Sequence, residues 1–214
     1  MDNEVLLGLE EAVLQYDADG AEQWARKAID ENVDPAKALD TLTSAIRQVG
    51  EGFGTGELFL PDLVGAADAM QRALPILEEA VEKSGGSRKS LGTVVIGTVK
   101  GDVHTIGKDM VATLLRAEGF AVADMGINVS AQQFLEAIRT QNADILAMSA
   151  LMTTTAPVQK KVIAMLEEEG LRDAVKVMVG GGAITQDFAN NIGADGYGAT
   201  APSAVKVARR LVQE

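Results

Sequence analysis

The sequence predicts an all-α four-helix bundle followed by an α/β domain whose five-stranded parallel sheet runs in the order 2-1-3-4-5. Two changes of pattern lead there. Up to residue 83 the apolar residues recur every three or four positions, the spacing of amphipathic helices. Past a small, polar and charged stretch between Lys83 and Ser90, short β-rich runs alternate with amphipathic segments, the pattern of βα units. We therefore expect a helical domain over 1–83, a linker over 84–90 and an α/β domain over 91–214.

In the first half, Val5, Leu6, Leu9 and Val13 mark one helix, and Trp24, Ala28 and Ile29 a second, with Trp24 read as core. Asp34 before Pro35 is an N-cap with proline in the first turn, opening a third helix through Leu39, Leu42, Ile46 and Val49. The glycines from Gly50 to Gly56 predict a helix stop and a loop. A fourth helix is expected from near Pro61 to about Glu82, with Pro75 as a kink point. In the second half, strands are expected over 93–99, 121–124, 144–149, 176–179 and 195–197, and helices over 106–118, 130–141, 155–169, 184–192 and 200–213. Five such units make a sheet covered on both faces, with the strand order of flavodoxin-like (Rossmann-type) folds.

Composition removes several function classes. A formal net charge of −12 without a basic stripe argues against nucleic acid and against an anionic membrane surface as partners. No cysteine and one histidine leave no thiolate nucleophile, no thiolate zinc site and no histidine cluster. Residues 1–11 are acidic and lack a signal-peptide pattern, and no apolar run approaches a membrane span, so a cytoplasmic location is expected.

In an open parallel sheet the ligand crevice lies beyond the carboxyl ends of the strands, at the reversal of strand order between the first and third strands. The loop from Lys100 to Gly107, the loop from Ser149 to Thr155 and the glycines Gly180 to Gly182 all fall on that edge. Phosphate-cradle readings fail on spacing: five residues separate Gly101 from Gly107, where a P-loop has four, and Asp109 stands in place of its Ser or Thr. A phosphorylation receiver would end its third strand in aspartate, where this chain has Ser149 and Leu151.

What remains is Asp102-x-His104-x-x-Gly107. In an extended loop residues i and i+2 point the same way, so the Asp102 carboxylate can hold one ring nitrogen of His104 and leave the other free for a metal. One imidazole holds a bare ion weakly but suffices as the axial ligand of a metal already in a macrocycle. The plainer readings are an ordinary polar histidine for His104, a helix cap for Asp102 and turn residues for Ser149, the threonines and the glycines.

These residues resemble the cobalamin-binding signature of corrinoid methyltransfer proteins and of the cobalamin module of methionine synthase. Asp102-x-His104-x-x-Gly107 is followed in order by Ser149-x-Leu151 and Gly180-Gly181, and the stretch from Gly56 to Asp62 with Met70 is similar to the helical cap of methyl-transferring members. The resemblance spans the chain. It implies a cobalamin or related corrinoid, as methylcobalamin and cob(I)alamin in turn, with His104 as axial cobalt ligand and the loop residues Gly101, Asp102, Val103, Thr105, Ile106 and Gly107 around it. Ser149, Leu151, Thr153, Gly180 and Gly181 would line the displaced nucleotide tail, and Phe59, Leu63 and Met70 would shield the methyl group, although helical spacing fits bundle core as well. Thr155 matches the serine that completes an Asp–His relay in some members, with an extra methyl, and Gly180-Gly-Gly-Ala183 departs from their Gly-Gly-Ala-Pro.

The implied role is a methyl carrier in one-carbon metabolism, non-catalytic alone. It would take a methyl group from a substrate-specific methyltransferase and deliver it to an acceptor methyltransferase using tetrahydrofolate or a thiol, with a reductive activase as a further partner. Two rivals stay open: a corrinoid-binding sensor, which would be expected to have an output domain, and a non-corrinoid binder of a nucleotide or flavin.

Overall fold

The computed structural model describes residues 2–84 and 90–213. Most of the expected linker, 85–89, lies outside the described residues. The chain divides into two compact units, residues 1–89 and 90–214.

The first unit consists, among its described residues, of helices α1 (Asp2–Leu14), α2 (Ala18–Asp30), α3 (Pro35–Thr55) and α4 (Leu60–Lys83). Asp17 and Asp34 cap α2 and α3 by accepting from the amides of Gly20 and Ala36. Leu9, Leu42, Ile46, Leu63, Met70 and Leu77 are fully buried and form the core. Trp24 is half-buried and packs on Gly8, where a Cβ would lie 2.3 Å from its ring, with the Lys27 ammonium 4.4 Å from a Trp24 ring centroid. One expectation fails. The glycines at 50–54 do not form a loop, because α3 continues through them to Thr55 and stops at Gly56, which has φ +82. Each helical glycine costs about 1 kcal/mol against alanine, but Val49 and Gly50 are buried, and at Gly52 a Cβ would press on Leu58 at 2.9 Å. Tertiary packing outweighs propensity there. The fourth helix passes through Pro75 without ending.

The second unit is a parallel sheet, in the order β2-β1-β3-β4-β5, of β1 (Thr93–Thr98), β2 (Ala121–Asp124), β3 (Ile145–Ser149), β4 (Lys176–Gly180) and β5 (Gly196–Gly198). Helices α5 (Ile106–Glu118), α6 (Ala131–Gln141), α7 (Ala156–Glu168), α8 (Gln186–Asn191) and α9 (Ala201–Leu211) follow the strands in turn. Period-two alternation sends Val95, Val99, Leu146, Met148, Val177 and Val179 into one core cluster with residues of α6, α7 and α8. Thr98, Ser149, Gly180 and Gly198 therefore face the opposite side, covered by α5 and α9, and the register aligns them as one row across four strands. Among the described residues, no helix is long and apolar enough to cross a membrane.

Candidate functional site

The loops after β1 and β3 meet at the carboxyl edge of the sheet, where the strand order reverses. At their junction Asp102 is fully buried. Its Oδ1 accepts from the backbone amide of His104 at 3.1 Å and lies 2.7 Å from the His104 Nδ1. Its Oδ2 accepts from the amides of Leu151 at 2.8 Å and Met152 at 3.4 Å and from the Thr155 hydroxyl at 2.7 Å. Asp102, His104 and Thr155 thus form one chain of hydrogen bonds, while the His104 side chain remains 48% exposed.

The approach of Asp102 to His104 differs from the extended loop expected. The Asp102 carboxylate caps the amide two residues on, an Asx turn, and this local bond carries the ring to the same oxygen. Asp102 does not cap α5, whose N-cap residue is Thr105.

Burial by itself would raise the Asp102 pKa. The hydrogen bonds from Thr155, the His104 ring, the His104 amide and the Leu151 amide outweigh it and hold the carboxyl far below the usual carboxylate range. An ionised carboxylate can only accept, so Nδ1 carries a proton, and in the neutral ring Nε2 is left with the lone pair.

Residues without an obvious sequence signal hold the loop in place. The Thr98 hydroxyl donates to the His104 carbonyl at 2.9 Å. Asn128 accepts from the Gly101 amide at 2.8 Å and donates its own amide to the Asp102 carbonyl at 3.1 Å. Gly101 has φ +85, a conformation suited to glycine. At the start of α5, buried Lys108 bonds Asp124 at 2.5 and 2.6 Å and Asp109 at 2.5 Å, and Asp109 in turn accepts from the hydroxyl of Thr105.

The other expected positions divide into two groups. In the two loops that meet at Asp102, Val103 (63%), Ile106 (60%) and Leu151 (45%) are exposed, as are Gly107 and Thr153. Ile127, beside Asn128, adds another exposed apolar side chain. Ser149 and Gly180 lie in the small-residue row with Thr98 and Gly198, while Gly181 packs on the Ala150 peptide. In the helical unit Phe59 is exposed at the N-terminus of α4, but Leu63 and Met70 are fully buried and offer no surface to a ligand.

The donor set suits a macrocyclic metal. Among the described residues, no group of three or more His, Asp or Glu side chains could hold a bare ion. The site provides one half-exposed, carboxylate-backed imidazole amid apolar side chains, and a strip of hydroxyl and glycine positions on the sheet beside it. Such a donor set fits a metal already held in a large organic ring better than a bare ion.

The chain belongs to the B12-binding family: two B12 binding domain models match it, over residues 92–206 and 5–78. The cofactor is accordingly a cobalamin-type corrinoid. The chain is 43% identical over 203 residues to the trimethylamine corrinoid protein of Methanosarcina barkeri, covering 94% of each chain. It is 43% identical over 210 residues to the dimethylamine corrinoid protein of the same organism, covering 98% of each. Among solved structures it matches the methanol:cobalamin methyltransferase complex MtaBC of Methanosarcina barkeri with a TM-score of 0.83 and 34% identity, over 98% of this chain and 80% of that one.

Proposed function

We propose that this chain is the methyl-carrying corrinoid subunit of a demethylating system, receiving a methyl group from a substrate-specific methyltransferase and yielding it to a second one, with tetrahydrofolate or a thiol as final acceptor. A methylamine is the favoured donor class, because the relatives matched over nearly their full length are named for trimethylamine and dimethylamine. The observation that carries the reading is the Asp102–His104 pair, with Nδ1 2.7 Å from a buried carboxylate oxygen.

When bound, the corrinoid supplies a cobalt centre that can accept a methyl group and give it up again. His104 offers Nε2 to the metal, and Asp102 fixes the ring tautomer and strengthens the donor through Nδ1–H. Thr155 and the amides of His104 and Leu151 keep the carboxylate ionised. Val103, Ile106 and Leu151 give the ring system an apolar seat, and Gly101, Thr105 and Gly107 shape the loop. Ser149, Leu151, Thr153, Gly180 and Gly181 line the path of the nucleotide tail, to which the row adds Thr98. Of the three residues expected to shield the methyl group, Phe59 alone is exposed and open to that role, Leu63 and Met70 being buried in the core of the helical unit. The protein acts in the cytoplasm, and a reductive activase restores it after oxidation.

The test is to add hydroxocobalamin, remove free cofactor by gel filtration and record the visible spectrum. Retention with a changed spectrum in the wild type, lost in His104→Ala, is expected. Once the loaded wild type is reduced to the Co(I) state with a chemical reductant, a methylamine methyltransferase together with its methylamine should methylate it. Retention of the same spectrum by His104→Ala would refute the ligand assignment.

A further inference from the structure

Gly181 makes a backbone contact that a tail-lining role does not require. Its φ is +112, and a Cβ there would lie 2.1 Å from the carbonyl oxygen, 2.6 Å from the carbonyl carbon and 2.8 Å from the nitrogen of Ala150. All three are main-chain atoms that no rotamer change can move, so only glycine lets the end of β4 lie against this peptide.

That peptide opens the turn that fastens Asp102. The Ala150 amide donates to the Gly180 carbonyl at 3.0 Å, and the next two amides, Leu151 and Met152, are those given to Asp102 Oδ2. On the far side the Ile184 amide donates to the Gly181 carbonyl at 2.9 Å and closes the glycine turn. From beneath, fully buried Gln159 donates through Nε2 to the carbonyls of Met148 at 3.0 Å and Gly180 at 3.3 Å. The opposite amide orientation would set a carbonyl against two carbonyls, so Gln159 keeps its nitrogen there even though its Oε1 has no hydrogen-bond partner.

We propose that Gly181, seconded by Gly182, is a positioning residue for His104: it holds the Ala150–Met152 turn, the turn holds Asp102, and Asp102 sets the imidazole. The inference rests on the corrinoid reading for the use made of His104, but the geometry it describes exists without cofactor. It assigns these glycines a role separate from making room for a nucleotide tail.

His104 is the only histidine, so its ring nitrogens give a single, unambiguous set of 15N resonances. In the cofactor-free full chain, at a pH where the ring is neutral, the wild type should show one dominant tautomer with the proton on Nδ1. Gly181→Ala should lose that dominance and resemble a free histidine. A second arm titrates hydroxocobinamide, a corrinoid with no nucleotide tail, and follows the visible spectrum. There Gly181→Ala should bind about tenfold more weakly or lack the imidazole-ligated spectrum.

If the glycines serve only the tail, the variant will match wild type in tautomer and with cobinamide, and weaken with cobalamin alone; that result overturns the proposal. Should Gly181→Ala fail to fold by circular dichroism, Gly182→Ala decides. Its Cβ would meet the Leu151 Cδ1 at 2.8 Å, and a smaller change in the same direction is expected, with wild-type behaviour in both arms overturning the proposal. A wild-type ring without Nδ1 preference also overturns it. A wild type with that preference that binds no corrinoid refutes the functional reading and leaves the positioning role to the resonance measurement.

Discussion

Replacing Asp102 by asparagine keeps the shape of the side chain and changes which of its partners can be satisfied. The carboxylate accepts two backbone amides and a hydroxyl at Oδ2, and one backbone amide and the ring nitrogen at Oδ1. An asparagine must turn its NH2 toward one of these groups. Backbone amides cannot reverse, whereas an imidazole can exchange tautomers. The NH2 therefore settles on the Oδ1 side, where it opposes one fixed donor rather than two. There it donates to Nδ1 and drives the ring proton to Nε2, the atom needed for the metal.

Loss of a carboxylate behind a metal-binding imidazole typically weakens affinity about 10–100-fold, or about 1.4–2.7 kcal/mol. The His104 amide left facing NH2 adds a stability loss of about 1–3 kcal/mol. Titration with hydroxocobalamin, read by visible absorption, measures the first, and urea unfolding of the cofactor-free protein the second. Binding within twofold of wild type, with an unchanged spectrum, would refute the reasoning.

Other outcomes follow from the same contacts. Thr155→Val removes the donor at 2.7 Å from Asp102 and should raise the Asp102 pKa and weaken corrinoid binding several-fold, while Thr155→Ser should restore both; two-dimensional NMR of the carboxyl carbon and cofactor titration check this. Lys108→Met leaves the partly exposed carboxylates of Asp124 and Asp109 without their shared ammonium and should destabilise the α/β unit by about 1 kcal/mol, seen as a lower urea midpoint. Because the folded-state pKa of Asp102 is depressed, its contribution is complete above the unfolded value of about 4 and is lost as pH falls toward the folded value. Acid unfolding curves of wild type and Asp102→Asn should therefore converge below about pH 4.

The strand order and nearly all element boundaries of the α/β unit were legible because each strand is a short run bounded by loop residues, and each amphipathic stretch follows directly. The end of α3 was not, since the glycines at 50–54 carry turn propensity and only the buried neighbours Val49 and Gly50 and the contact of Gly52 with Leu58 show why the helix continues. Within the site, Asp102 and His104 are two residues apart and their pairing is local, so spacing sufficed to suggest it. Asn128 and Gln159 act on Gly101 and Gly180, far away in sequence, and no local pattern records which loops meet there. The apolar spacing of Leu63 and Met70 is that of a bundle core, and burial places both in it.

The most direct measurement of axial ligation is the electron paramagnetic resonance of the cob(II)alamin-loaded protein, prepared with natural-abundance histidine and again with ring-15N histidine. Labelling histidine labels only residue 104. If His104 ligates cobalt, the superhyperfine triplet of the natural sample will become a doublet in the labelled one. A triplet that persists after labelling would place another nitrogen on the metal and contradict the account.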